Sequence, residues 1–111
     1  MSRSQRISSL LKTEISSLIH RKINDARIGF ISITNVKLSK DFAHAWVYYS
    51  QIGDDSQKKD TMKGLSSATP FIHSELSKII RYMAIPKLHF RFDSSLEDAA
   101  KLIEKIDGLS S

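Results

Sequence analysis

The dipeptide Thr69-Pro70 interrupts a long stretch whose apolar residues recur at helical spacing. Proline has no backbone N–H and clashes with the preceding helical turn, so it cannot easily continue a helix. Threonine followed by proline is, however, a favourable way to begin one, as N-cap and first helical residue. The stretch therefore predicts two helices, residues 56–67 and 70–83, with a sharp kink at Ala68-Thr69-Pro70. Free N–H groups at the start of the second helix would attract phosphate.

Upstream, the apolar pattern predicts an amphipathic helix over residues 4–23. A strand follows at Phe30–Leu38, but its apolar residues change phase halfway, which predicts a β-bulge near Thr34-Asn35. A second strand, Phe42–Ser50, alternates small or apolar residues with aromatic ones. The short connection between these strands predicts an antiparallel hairpin.

Downstream, the clean alternation of residues 87–93 predicts a third strand. Two Ser-to-acid pairs at capping-box spacing, Ser94/Glu97 and Ser95/Asp98, then start a last helix that Gly108 should end. This helix is expected to bury the apolar residues Ala99, Leu102, Ile103 and Ile106. The predicted fold is α+β, in the order α-β-β-α-kink-α-β plus a C-terminal α, with helices on one face of a three-stranded sheet. The length suits a single domain over residues 1–111.

The chain carries a formal net charge of +5, yet residues 93–111 hold five acidic and two basic side chains. A basic body with an acidic C-terminal helix suggests a polyanionic partner approached from one side. There is no cysteine, no apolar run long enough to span a membrane and no signal-peptide pattern, so a cytoplasmic protein without membrane contact is expected. The four histidines lack zinc-site spacing, and no nucleophile elbow or phosphate-binding glycine loop occurs. We therefore predict no enzymatic activity, no metal and no cofactor.

The order of elements, with a kinked helix pair in the crossover, resembles the type II KH topology. Four segments also resemble the bacterial ribosome-binding factor A family. They are Arg27-Ile28-Gly29, Val36–Asp41, Ala43–Tyr48 and Ile85–Leu96, the last containing the pattern Pro-x-Leu-x-Phe-x-x-Asp-x-Ser-Leu. Family members usually have a small residue and glycine after the kink alanine, where this chain has Thr69-Pro70.

This resemblance implies a non-catalytic, cold-shock-associated assembly factor. Such a factor binds the small (30S) ribosomal subunit late in maturation, near the 5′-terminal helix of its rRNA, and supports processing of precursor 16S rRNA. Other assembly or release factors are possible partners, and a monomer is expected.

The mode of RNA contact is inferred from the residues. A usual KH module clamps single strands with a Gly-x-x-Gly loop, but the glycines here are at positions 29, 53, 64 and 108, away from the kink. Weak binding to free single strands is therefore expected, with structured RNA recognised by shape and charge. The candidate contacts lie at the kink and on the following helix, and extend to the hairpin and the N-terminus: Thr69, His73, Ser74, Ser77, Lys78, Arg81, Lys37, Lys40, Arg3 and Arg6.

Other interpretations stay open from sequence alone. Each basic residue taken singly is also explained as a solvated surface charge. The aromatic residues Trp46, Tyr48 and Tyr49 could stack on bases or could pack within the sheet. A protein-interaction module that uses a strand edge or the acidic helix is a further hypothesis. Ionic strength separates these, because phosphate contacts weaken steeply with salt.

Overall fold

The structure, a computed structural model, describes residues 2–110. It has three helices and three strands in the order α1 (Arg3–Lys22), β1 (Ile31–Leu38), β2 (His44–Gln51), α2 (Asp55–Ile79), β3 (Lys87–Phe92) and α3 (Ser95–Ser110). The strands form one sheet in the order β1-β2-β3. The α+β class and the three-stranded sheet are thus as the sequence predicts.

The β1–β2 hairpin and its bulge confirm the sequence prediction. The two strands pair antiparallel, and the register shifts between Ile33, opposite Tyr49, and Asn35, opposite Tyr48. The extra residue, Thr34, returns the later apolar residues of β1 to the buried side. In the connecting turn the Ser39 hydroxyl accepts a hydrogen bond from the His44 amide at 2.9 Å.

Strand β3 lies parallel to β2, which requires the crossover that α2 supplies. Helices α1 and α2 cover one face of the sheet and share one core with it. The fully buried side chains include Leu11 and Leu18 of α1, Val47 and Tyr49 of β2, and Leu76 of α2. The side chains on the opposite side of the strands form what we call the open face: Ser32, Asn35, Lys37, His44, Trp46, Tyr48, Ser50, Lys87, His89 and Arg91.

The predicted pair of crossover helices is wrong, because α2 is one helix that runs through Pro70. Its N-cap is Asp54, not Thr69, and the Thr69 hydroxyl instead donates to the Leu65 carbonyl at 2.8 Å. The chain therefore has no new helix N-terminus, and no free turn of N–H groups, at Ala68-Thr69-Pro70. Buried Leu65 on one side of the proline and Ile72 on the other pack into the same core, and this packing outweighs the hydrogen bond that Pro70 cannot make.

The predicted burial of α3 is also wrong. Leu102, Ile103 and Ile106 are 60%, 59% and 56% exposed, Ala99 is exposed, and the helix continues through Gly108. The clearest tie between α3 and the rest of the chain is at its start, where Glu97 forms an ion pair with Lys58 of α2. An amphipathic pattern shows that a helix has an apolar side, but it does not show that a partner surface is within reach.

Candidate nucleic-acid interface

The residues predicted to contact RNA do not form one continuous surface. Lys37 lies on the open face of the sheet, where its Nζ is 5.4 Å from the centre of the Tyr48 ring. Residues 69–81 belong to α2 and its exit, on the opposite, helix-covered side. Arg3 and Arg6 lie in the first turn of α1, and Lys40 lies in the hairpin turn.

Three of the predicted polar contacts on α2 are already used within the fold. Thr69 donates within the helix, as described above, and the Ser77 hydroxyl donates to the His73 carbonyl at 3.0 Å. The Nε2 of His73 lies 3.1 Å from the carbonyl oxygen of Ile85, so the ring tethers the loop that leads into β3. These side chains position the backbone, while Ser74 remains exposed.

The cations at the end of α2 are more available. Lys78 and Arg81 are exposed, and the Nε of Arg81 donates to the Lys78 carbonyl at 3.3 Å. The Lys78 ammonium is 3.5 Å from Glu75, which also pairs with Lys22 at 3.3 Å. The hydrogen bond from Lys22 is the main cause of the lowered pKa of Glu75, followed by the charges of Lys22 and Lys78. Two ammonium groups thus share one carboxylate, which leaves this surface positive.

Further exposed cations come from other elements. Arg3 stacks over Phe42 with its guanidinium carbon 5.5 Å from the ring centre, which places the start of α1 against the hairpin turn that carries Lys40. Lys87, the first residue of β3, pairs with His44 at the start of β2. We group Arg3, Lys40 and Lys87 with Lys78 and Arg81 at the exit of α2, and call these five exposed cations the hairpin end.

One carboxylate, that of Asp41, lies in the hairpin turn beside Lys40. Asp41 accepts hydrogen bonds from the Ala43 amide at 3.0 Å and the Ser39 hydroxyl at 2.8 Å. These bonds, the amide first, lower the pKa of Asp41. Both bonds reach Oδ1 and hold the turn in shape, while the carboxylate keeps its negative charge. The five exposed cations of the hairpin end outnumber the carboxylates of Asp41 and Glu75, so these cations can attract phosphate groups.

The open face holds two histidines that the sequence prediction missed, beside a tryptophan for which it left base stacking open. His44, Trp46 and His89 lie close together there, with Lys87 and Arg91 on the same strand as His89. The alternation of β2 and β3 indicates which side chains point outward, but only the parallel register brings His89 opposite Trp46. Tyr49 is buried and packs against Phe92, so for this residue the packing interpretation holds.

Other kinds of site find no support in the described part of the chain. Among residues 2–110, no group of three His, Cys, Asp or Glu side chains is arranged to hold a metal ion. Over the same residues, no helix has both the length and the hydropathy needed to cross a bilayer.

Comparison with known proteins gives a consistent family. The family model described as ribosome-binding factor A matches residues 3–106. Ribosome-binding factor A of Halothermothrix orenii is 43% identical over 102 residues, which cover 92% of this chain and 84% of the relative. Ribosome-binding factor A of Dictyoglomus thermophilum is 43% identical over 108 residues, which cover 96% of this chain and 90% of the relative.

Solved structures give the same fold. The crystal structure of ribosome-binding factor A from Thermus thermophilus matches with a TM-score of 0.71 at 22% identity, covering 81% of this chain and 96% of that one. A homology model of the same factor, fitted into a cryo-EM map of a 30S–RbfA complex, matches with a TM-score of 0.66 at 23% identity. This match covers 78% of this chain and 91% of that one. These structures have the KH-like fold that the order of elements along this chain predicts.

Proposed function

Because the chain belongs to the ribosome-binding factor A family, we propose that it is a non-catalytic assembly factor that binds the small ribosomal subunit. The family match over residues 3–106 is the observation that carries this proposal. A 30S complex of a Thermus thermophilus relative supports the choice of subunit. The finer part of the proposal is that binding occurs late in maturation, near the 5′-terminal helix of the rRNA. There it supports processing of precursor 16S rRNA, above all at low temperature.

The hairpin end is the part of the molecule best suited to face rRNA phosphates. Its cations come from α1, the hairpin turn, α2 and β3, so the fold holds them in fixed relative positions. Phosphate contacts of this kind supply affinity and orientation without reading sequence. Lys78 and Arg81, predicted from the sequence, remain the central pair in this proposal.

Recognition of structured RNA fits the way in which the glycines are used. Gly64 of α2 lies against the chain before β1, and a Cβ there would come within 2.5 Å of the Ile28 side chain. The Gly29 amide donates to the Thr61 hydroxyl at 3.0 Å. Both glycines serve helix packing, not the close backbone approach of a Gly-x-x-Gly clamp. We therefore expect weak binding to free single strands.

Co-sedimentation with purified small and large subunits over a salt series tests the proposal. We expect the protein to sediment with the small subunit, and the bound fraction to fall steeply as salt rises. The variant Lys78→Glu/Arg81→Glu should lose this association. The matched control, Lys101→Glu/Lys105→Glu, makes the same charge change on the exposed side of α3 and should retain it.

Each outcome bears on a distinct part of the proposal. Equal binding by wild type and the Lys78→Glu/Arg81→Glu variant would place the RNA contact away from the hairpin end. Binding that is insensitive to salt would favour an apolar protein interface. Absence of binding to either subunit would overturn the proposed function itself.

A further inference from the structure

The open face carries three aromatic rings that lie close together. The ring centres of His44, Trp46 and His89 are separated by 5.9, 5.1 and 5.7 Å, and the ring planes differ by only 23–27°. Nearly parallel rings stacked in one column would place the outer pair about twice as far apart as each inner pair. The three nearly equal distances therefore describe a triangle of rings lying side by side.

A hydrogen bond between the histidines supports this arrangement. The Nδ1 of His44 lies 2.9 Å from the Nε2 of His89. Because ring N–H groups and nitrogen lone pairs lie in the imidazole plane, such a bond holds the two rings edge to edge. Trp46 lies opposite His89 in the parallel register and completes the surface. We call these three residues the aromatic platform.

The three rings of the platform are partly accessible to solvent. The three residues are only partly buried, and they lie on the side of the sheet opposite to α1 and α2. Most strand residues that face the core are instead apolar or aromatic side chains packed against those helices, such as Val47 or Phe90. The platform is thus a flat, partly exposed aromatic surface with rings held by each other and by the sheet.

The charges around the platform favour a polyanion. Lys37 pairs with Trp46, Lys87 with His44, and Arg91 with Tyr48 across the strands. Within the described strands, none of the open-face residues is acidic. The nearest carboxylates in sequence are Asp41 in the turn and Asp93 beyond β3, and Asp93 accepts a hydrogen bond from Thr34 at 2.7 Å.

We propose that the aromatic platform stacks one or two unpaired bases displayed by folded RNA, while Lys37, Lys87 and Arg91 contact the flanking phosphates. Every base has an apolar π-face, so stacking tolerates sequence, and cations placed beside the rings hold the backbone. The inference rests on the proposed function, because it assigns a second contact with the same class of partner. It differs from the hairpin end because it contacts base faces as well as phosphates.

Trp46 makes the test direct, because it is the single tryptophan of the chain. The probes are two RNA hairpins with the same stem, one with a loop of adenosines and the other with a loop of abasic residues and the same number of phosphates. We expect the adenosine loop to quench Trp46 fluorescence and the abasic loop to leave it unchanged. Fluorescence anisotropy of labelled hairpins should show that the protein binds the abasic hairpin at least about fivefold more weakly than the adenosine hairpin.

Two variants keep the test independent of folding. Trp46→Phe retains a ring and should still prefer the adenosine loop, whereas Trp46→Ser should bind both hairpins alike; circular dichroism checks that both are folded. Equal binding of the two hairpins by wild type, without quenching, would overturn the platform but leave the proposed function intact. If wild type shows no preference between the hairpins but Trp46→Ser sediments less well with subunits than wild type does, this face would instead be assigned to contact with a ribosomal protein. Failure of wild type to sediment with subunits would count against the proposed function, whatever the hairpins show.

Discussion

Single residues set the chemistry of the open face. The 2.9 Å contact between His44 and His89 is a hydrogen bond only while one of the two nitrogens lacks a proton. Burial lowers the pKa of His89 below its ordinary value of 6.5, and the neighbouring charges of His44, Arg91 and Lys87 lower it further. The neutral form of His89 is therefore the one that the fold favours.

This pKa predicts how stability responds to acid. Below about pH 6.5 the unfolded chain binds a proton at His89 more readily than the folded protein does. The stabilising effect is thus complete above that pH and declines as the pH falls further. Urea unfolding at about pH 7.5 and 5.5 should show a lower free energy of unfolding in acid, and His89→Gln should reduce the difference. His20→Gln, on the exposed side of α1, is the control; an unchanged difference in His89→Gln would contradict this assignment.

Whole elements show where packing overrules local preference. A proline in a helix interior leaves one carbonyl without its usual donor, here that of Ser66. Helix α2 continues because Leu65, Ile72 and Leu76 are fully buried on both sides of the proline. The hydroxyl of Thr69 adds a bond to the carbonyl one turn earlier. The phosphate site expected at a helix start is lost with this continuity.

Replacing Pro70 with Ala should accordingly stabilise the protein. The new N–H can bond to the Ser66 carbonyl, and we expect the free energy of unfolding in urea to rise by about 1–3 kcal/mol. Ser74→Pro, one turn further along the exposed side, is the reciprocal control and should destabilise by a similar amount. Subunit binding by Pro70→Ala should be unchanged. A loss of binding without a loss of stability would show that the proline itself serves function.

Helix α3 should contribute little to folding stability. Since its apolar stripe is mostly exposed, Leu102→Ser and Ile106→Ser should each change the free energy of unfolding by less than about 0.5 kcal/mol. By contrast, Leu76→Ala removes a fully buried side chain and should cost about 2–5 kcal/mol. Chemical denaturation compares the three variants, and a large effect at Leu102 would mean that the stripe is covered in solution.

The sequence predicts those features that local rules determine. The change in phase of the apolar residues around Thr34 predicts the bulge. The alternation of side chains along β2 predicts which of them point outward, and the short connection between β1 and β2 predicts the hairpin. It does not predict the pairing of His44 with His89, because that contact depends on the parallel register across a 25-residue helix. For the same reason it groups Lys37 with Lys78, which the sheet separates onto opposite faces. The local signals at Pro70 wrongly predict a helix break, because the burial of side chains before and after the proline is a tertiary effect that local sequence does not show.

At the scale of the molecule, charge is divided between two ends. Cations gather at the hairpin end. The N-cap Asp54 and the first residue of α2, Asp55, lie at the opposite end of the sheet, near the start of α3 and its Glu97-Asp98 pair. The segment 93–111 holds five acidic side chains and two basic ones. The net charge of +5 therefore understates how positive the hairpin end is.

This division predicts a graded response of subunit affinity to salt. Each phosphate contact that is removed should reduce the slope of log affinity against log salt by about 0.7–0.9. Lys78→Gln/Arg81→Gln should thus reduce the slope by about 1.5. The control, Lys101→Gln/Lys105→Gln, should leave it unchanged. A slope that falls equally in both variants would mean that net charge, not position, governs binding.

The opposed charges also have a kinetic meaning. A body that is positive at one end and negative at the other experiences a torque as it nears a polyanion, since one pole is drawn in and the other is pushed away. Rotation of this kind takes place before any atoms touch. Collisions would therefore begin with the hairpin turn leading and α3 trailing, which narrows the angular search that ordinarily slows protein association.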